Sequence, residues 1–391
     1  MKFQRVKLLL FIALLVAPLQ TFAQIGLGAE QTAKYLPALT GKKVALVANQ
    51  TSLVGSTHLL DTLLSLKINV VKVFTPEHGF RGNVSAGEKV SSTVDEKTGV
   101  PLVSLYGDNK KPSVAQMQDA DVLVFDIQDV GARFYTYIST LHYVMEACAE
   151  NQKLLVVLDR PNPNGSYIDG PVLVPAFKSF VGMHPVPVVH GMTMGEYAQM
   201  INGEGWLANG KKCNLQVIPL LNYTHSTEYD LPAPPSPNLK SKEAICLYPS
   251  LCFFEGTNVS VGRGTDTPFE IIGRPGFKAG NFTFTPKSIP GVADNPPYEG
   301  KQCTGFSLTN FCREYIMPSR EIYLYWLTGF YNDSEDKSKF FNGFFDKLAG
   351  TDELRKQIER GESPEDIRKS WQPGLRQYDE MRQKYLLYPL S

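Results

Sequence analysis

Three hydrophobic runs in the first half of the chain are almost uninterrupted by polar residues. They are Val-Ala-Leu-Val within 43–49, Asp-Val-Leu-Val-Phe-Asp at 121–126 and Lys-Leu-Leu-Val-Val-Leu-Asp at 153–159. A strand with one wet face alternates polar and apolar residues, whereas a strand buried on both faces reads as a continuous apolar run. Such strands belong in parallel sheets sandwiched between helices. Helical spacing at 57–66, a β-branched run at 69–74 and an amphipathic stretch at 134–151 lie between them. The pattern predicts an α/β domain over residues 24–185, built on a doubly wound parallel sheet.

The runs at 69–74, 121–126 and 153–159 each end in a polar cluster: Pro76-Glu77-His78-Gly79, Asp126-Ile127-Gln128-Asp129 and Asp159-Arg160-Pro161-Asn162. In an open parallel sheet the carboxyl ends of the strands face one crevice, so these clusters converge on a polar site.

The first residues form a separate signal. Lys2, Arg5 and Lys7 precede an apolar run at 8–17, and Ala23 is a small residue at a cleavage point, so residues 1–23 are expected to be an export signal. The apolar run is too short to span a bilayer, and no cysteine follows for a lipid anchor, so stable membrane insertion is not expected. Removing three basic residues turns 39 basic against 39 acidic into a net charge of −3, which gives no electrostatic attraction for nucleic acid. Six cysteines in an exported chain permit disulfides, with Cys246/Cys252 and Cys303/Cys312 closest in sequence. None has zinc-knuckle or C-x-x-C spacing.

From about residue 186 the texture changes to a second, smaller α+β domain running to 391. Thr193-Met194-Gly195-Glu196 has capping-box spacing, predicting a helix to about Asn202. A strand is expected at 213–221 and an extended proline-rich segment at 231–238. Polar helices are expected at 334–348, 351–360 and 363–371, the last with Ser363 as cap and Pro364 in its first turn.

Cofactor motifs are missing. No G-x-G-x-x-G follows the first strand, the Gly205–Lys212 stretch has a lysine where a phosphate loop needs Ser or Thr, and no G-x-S-x-G elbow exists. No cofactor and no metal is expected. What remains is carboxylate chemistry, in which one carboxyl protonates a leaving oxygen and a second group stabilises or attacks an oxocarbenium-like centre. Glu77 is the leading acid candidate, with His78 or Arg81 positioning it. Glu255 is the second, within Phe253-Phe254-Glu255-Gly256-Thr257-Asn258-Val259-Ser260-Val261-Gly262-Arg263-Gly264-Thr265, where two aromatics press it toward a low-dielectric setting. Glu270 is a weaker third. Asp126, Gln128, Asp129 and Arg133 suit sugar hydroxyls or an N-acetyl group, although an internal Asp–Arg ion pair explains them equally well. Tyr135 and Tyr137 offer stacking faces. His190 stands where free helix amides suit an anion, and Arg160 and Arg263 are carboxylate-binding forks.

Together these segments, with Arg133-Phe134-Tyr135-Thr136-Tyr137 and His190-Gly191-Met192-Thr193, closely resemble the bacterial exo-β-N-acetylmuramidases over nearly all of the mature chain. The resemblance implies a Rossmann-like N-terminal domain joined to a smaller C-terminal one, with the site in the cleft between them. It implies an exported glycoside hydrolase that removes terminal N-acetylmuramic acid (MurNAc) from peptidoglycan-derived sugars, with no cofactor. Glu77 and Glu255 would then be catalytic, and Asp159, Asn162, Asn258 and Thr265 join the substrate-binding candidates. A substrate-assisted route, with Asp126 or Asp129 orienting the N-acetyl oxygen, stays open at this point. So do two rivals: a metal-dependent wall amidase or phosphoesterase using His78, Asp126, Asp129 and His190, and a non-catalytic wall-fragment receptor.

Overall fold

The computed structural model describes residues 24–77, 79–80 and 93–391. Residues 1–23, His78 and 81–92 lie outside the described residues, and with them the expected export signal and Arg81.

The apolar runs form the expected strands: β1 (Lys43–Ala48), β4 (Asn69–Thr75), β7 (Val122–Asp126) and β8 (Leu154–Leu158), with β2 (Leu53–Val54) and β3 (Thr57–His58) a small hairpin. They are joined by β5 (Thr93–Val94), β6 (Pro101–Ser104) and β9 (Asn214–Ile218) in one seven-stranded sheet ordered β5-β6-β4-β1-β7-β8-β9. Every pairing is parallel except the edge strand β5 on β6. The strands wind outward in both directions from β1, which places the topological switch point between β1 and β7, where Ala48 stands opposite Asp126.

Side chains of successive strand residues go to opposite faces and into two separate cores. Ala45, Val47, Phe74, Leu123, Phe125 and Val157 enter the larger, whereas Val44, Leu46, Val73, Val124 and Val156 enter the smaller. Both faces are covered, which is why these runs contain no polar alternation.

The sheet does not stop where the change of texture suggests. Strand β9 pairs in parallel with β8 along its whole length, so a boundary at 185 would cut through the sheet. The texture changes earlier because residues 160–213 wrap the sheet as loops and one helix, Met194–Gly203, with the predicted capping box of Thr193 and Glu196. The second unit holds a three-stranded antiparallel sheet, β10 (Ile271–Arg274), β11 (Phe282–Phe284) and β12 (Cys303–Ser307), in the order β10-β12-β11. The second half also holds the helices Lys242–Leu251 and Tyr325–Asn332 and the C-terminal helix Pro364–Arg382, which is capped by Ser363 as expected, runs well past residue 371 and bonds back to Asp169, His190 and Gly191.

One other expectation gives way to tertiary contacts, and the state of the cysteines, left open by the sequence, is fixed. The predicted helix at 334–348 is only a 3-10 turn at Lys337–Lys339 and a short helix at Phe345–Ala349. Between them the backbone of Phe340 and Asn342 hydrogen-bonds Asn258 and Gly256, using groups a helix would need. All six cysteines are free thiols. The fold places Cys246 against Cys312 and Cys148 against Cys213, not the pairs adjacent in sequence. Among the described residues no helix is long and apolar enough to cross a membrane.

Candidate active site

A cavity of about 720 Å³ opens at the carboxyl ends of the strands, between the sheet and the second unit. Glu77, from the first half of the chain, and Glu255, from the second, both line it. Glu77 lies in the turn after β4, closed by the Gly79 amide donating to the Pro76 carbonyl at 3.1 Å. The Thr136 hydroxyl donates to Glu77 Oε2 at 2.8 Å. Glu255 lies in the 3-10 turn Cys252–Gly256. A side chain at Gly256 would stand 2.4 Å from the Phe345 Cα, so glycine lets this turn pack tightly and fixes the Glu255 backbone.

Phe253 and Phe254 turn into the core and leave Glu255 facing the cavity. The apolar setting expected from those neighbours is replaced by a salt bridge. Arg263 Nε donates to Glu255 Oε1 at 2.5 Å, both side chains keeping about a quarter of their surface or less exposed (20% and 24%). The guanidinium also lies 5.1 Å from the centre of the Phe269 ring, which braces it. The buried Cys252 thiol, 3.8 Å from Glu255 Oε2, is pushed well up by burial and by that carboxylate, so it stays a neutral weak donor.

The wall between the two carboxylates is aromatic. Tyr135, Tyr137 and Tyr248 line it, with the first two rings edge to face at 4.8 Å. Their hydroxyls donate to the Pro235 carbonyl at 2.8 and 3.3 Å, and Gln50 adds a third donor. These bonds tie the proline-rich segment to the sheet, and its Ser236, with Leu239 just after it, borders the cavity.

Most of the other predicted residues that are described take structural positions outside the cavity lining. Asp126 is fully buried and holds Arg160 through two bonds, Nε to Oδ1 at 2.5 Å and Nη2 to Oδ2 at 2.9 Å, so an internal ion pair forms, with Arg160 and not with the Arg133 of its own cluster. Arg133, fully buried, spends its guanidinium on the carbonyls of Pro171, Val186, Leu348 and Ala349, at 2.6–3.0 Å. Burial pulls its pKa down to about 9. Gln128 donates to the carbonyls of Asp129 and Pro161, and Asn162 to that of Met192. Gly131 adopts φ +77°, and any Cβ there would fall 2.1 Å from Asn162 Oδ1, which accounts for the glycine in this motif.

The helix N-terminus beside His190 does receive an anion, and the anion is Asp159. The Gly195 amide and the Thr193 hydroxyl donate to its carboxylate at 2.8 and 2.7 Å, and the Tyr388 hydroxyl adds a bond at 2.5 Å. His190 itself lies 3.8 Å from Asp129 Oδ1, in the buried layer. Glu270 accepts from Ser241 and Thr309, Thr265 donates to the Gly262 carbonyl, and the Asn258 carbonyl accepts from Tyr298. The fold therefore brings Glu77, Tyr135, Tyr137, Glu255 and Arg263 to the cavity, while Asp126, Gln128, Arg133, Asp159, Arg160 and Asn162 are buried in the structure that supports it. Thr136, Tyr248 and Cys252 are cavity residues that the sequence reading did not select. Thr136 lay inside a quoted motif, and its hydroxyl between two cavity tyrosines was the available signal.

Two family models cover nearly all the described chain: the N-terminal part of the exo-β-N-acetylmuramidase NamZ matches residues 44–243, and its C-terminal part residues 246–388. The chain belongs to the NamZ family. The peptidoglycan β-N-acetylmuramidase NamZ of Bacillus subtilis is 41% identical over 383 residues, spanning 90% of this chain and 89% of the relative. A DUF1343-family protein from Bacteroides fragilis, solved as a crystal structure, is 49% identical with a TM-score of 0.87, covering 94% of this chain and 99% of that one. A second B. fragilis DUF1343 protein is 30% identical with a TM-score of 0.76, over 93% and 99% of the two chains. The two NamZ models meet at 243–246, inside the Lys242–Leu251 helix, so the family's N-terminal part includes β9 as the sheet does. As a NamZ-family protein the chain is a glycoside hydrolase with a doubly wound α/β domain and a smaller C-terminal one.

Proposed function

We propose that this NamZ-family enzyme releases β-linked N-acetylmuramic acid from the non-reducing end of peptidoglycan fragments such as MurNAc-GlcNAc, in cell-wall turnover and recycling outside the cytoplasm. The observation that carries the chemistry is the position of Glu77 and Glu255, from the two halves of the chain, on one cavity of about 720 Å³, a volume suited to a small ligand. Glu77 serves as general acid, giving its proton to the glycosidic oxygen as the bond to the anomeric carbon breaks; a water oxygen then bonds to that carbon and its proton returns to Glu77. Glu255 is the second carboxylate, held on its salt bridge in the same cavity to meet the positive charge that develops on the sugar ring. Tyr135, Tyr137 and Tyr248 give the ring faces to pack on. Of the arginines singled out as carboxylate forks, Arg160 is committed to Asp126 and Arg263 alone reaches the cavity, so Arg263 is the group available to the lactyl carboxylate that distinguishes muramic acid. The export reading is supported by the basic start and apolar run of residues 2–17.

A metal-dependent reading has little to stand on. Asp126 is spent on Arg160, and among the described residues no group of three His, Cys, Asp or Glu is placed to hold an ion.

The deciding experiment incubates the mature protein with MurNAc-GlcNAc, with a chromogenic β-N-acetylmuraminide and with the matching β-N-acetylglucosaminide, each with and without EDTA. Chelator-resistant release from the muramic substrates alone is expected. Tight binding without release would make the protein a receptor, and release abolished by EDTA would make it a metallohydrolase.

A further inference from the structure

We infer that Thr136 is a positioning residue for Glu77, acting through a hydrogen bond from its hydroxyl to Glu77 Oε2. The inference rests on the reading of Glu77 as the reacting carboxyl. The bond is 2.8 Å long, and Thr136 is half-buried beside the cavity.

Two observations make the contact more than incidental. Thr136 is the N-cap residue of the Tyr137–Glu150 helix, where a threonine hydroxyl ordinarily accepts a hydrogen bond from an amide of the first turn. Here it makes no such bond, although the neighbouring Met194–Gly203 helix is capped by Thr193 in the usual way. The Thr136 hydroxyl has been diverted from the helix to a carboxylate 59 residues away in sequence.

The backbone that carries the hydroxyl is also anchored on both sides. Tyr135 and Tyr137 donate to the same Pro235 carbonyl, and Arg133 is fixed by four backbone carbonyls. A hydroxyl held this firmly beside Oε2 fixes the orientation of the Glu77 side chain and donates to the carboxylate that proton transfer leaves behind.

The test compares Thr136→Val, which keeps shape but loses the donor, with Thr136→Ser, which keeps the donor, and Glu77→Gln as reference, all on MurNAc-GlcNAc. Thr136→Val should lower kcat about 10- to 100-fold, as loss of a preorganised donor does, with KM changed less than about threefold. The limb of the kcat–pH profile on which the acid must be protonated should move to higher pH, because removing a donor disfavours the charged form. Thr136→Ser should restore both. If the valine variant folds poorly, Thr136→Ala carries the same comparison against serine. Parent kcat and an unmoved pH profile in a folded donor-less variant would overturn the proposal. Should Glu77→Gln also keep activity within tenfold of the parent, the reading of Glu77 itself fails; a dead Glu77→Gln beside a normal Thr136→Val overturns only the positioning role.

Discussion

Arg263 and Glu255 form the one salt bridge whose two members both line the cavity among the described residues, with Nε to Oε1 at 2.5 Å. Glu255 and neighbouring groups hold the Arg263 guanidinium above its ordinary pKa despite partial burial, so the cation is permanent across the working range. Replacing Arg263 by alanine leaves a half-buried carboxylate unpaired beside the reacting sugar. We expect kcat/KM for MurNAc-GlcNAc to fall about 100-fold, in line with removing one member of a desolvated pair, with Arg263→Lys recovering only part because a point charge cannot reproduce the fork. Steady-state kinetics on the folded variants decides it; unchanged kcat/KM in Arg263→Ala would show that the pair is structural.

Glu77→Gln removes the transferable proton and keeps the shape of the side chain. The expected loss is about 100- to 10,000-fold in kcat, the range for a general acid. Release measured with a chromogenic muraminide whose leaving group needs no protonation should be affected far less. Equal losses on both substrates would contradict the acid role.

Arg133 predicts stability and not chemistry. Its guanidinium donates to four backbone carbonyls, of which that of Val186 also accepts from the Leu173 amide. Arg133→Met should cost about 1–3 kcal/mol or more, the range for leaving buried acceptors without a donor. Urea unfolding should show the loss, while the folded fraction keeps the parent's KM. A variant of parental stability would mean that water replaces the lost donors.

Asp159 gives a pH prediction with a fixed sign. Burial first, and the nearby Glu196, raise its pKa from 3.8 to about 6 against the opposing bonds from Tyr388, Gly195 and Thr193. A carboxyl whose folded pKa is raised stabilises the fold fully below its unfolded pKa, and that contribution is lost as pH rises through the folded one. Relative to Asp159→Asn, the parent should therefore lose stability between about pH 4 and pH 6. Melting temperatures of the two proteins across this window test it; a difference independent of pH would remove Asp159 as the titrating group.

The resemblance and the apolar runs already carried the architecture. Continuous hydrophobic strands need helices on both faces, and this local requirement is visible in residues 43–49, 121–126 and 153–159 without any contact being known. The capping box at Thr193 and Glu196 and the start of the last helix at Ser363 were equally legible, because a cap is made by residues three apart. The candidate site was legible in part: Glu77, Tyr135, Glu255 and Arg263 reach the cavity, but Asp126, Arg133, Asp159 and Arg160 were grouped with them because they occupy the same kind of position after a strand.

Composition, periodicity and capping are short-range properties, so the sequence by itself determined the doubly wound sheet, the second unit and the two acidic motifs. Tertiary structure alone decided the partner of each polar side chain. Arg160 and Arg263 are chemically identical forks, yet one lies in the buried layer against Asp126, 34 residues away, and the other faces the cavity with Glu255. The same holds for Thr136, whose hydroxyl caps no helix and meets Glu77, 59 residues away, at 2.8 Å. A hydrogen bond acts over about 3 Å in space and is indifferent to separation along the chain, so which groups meet is fixed only when the elements pack.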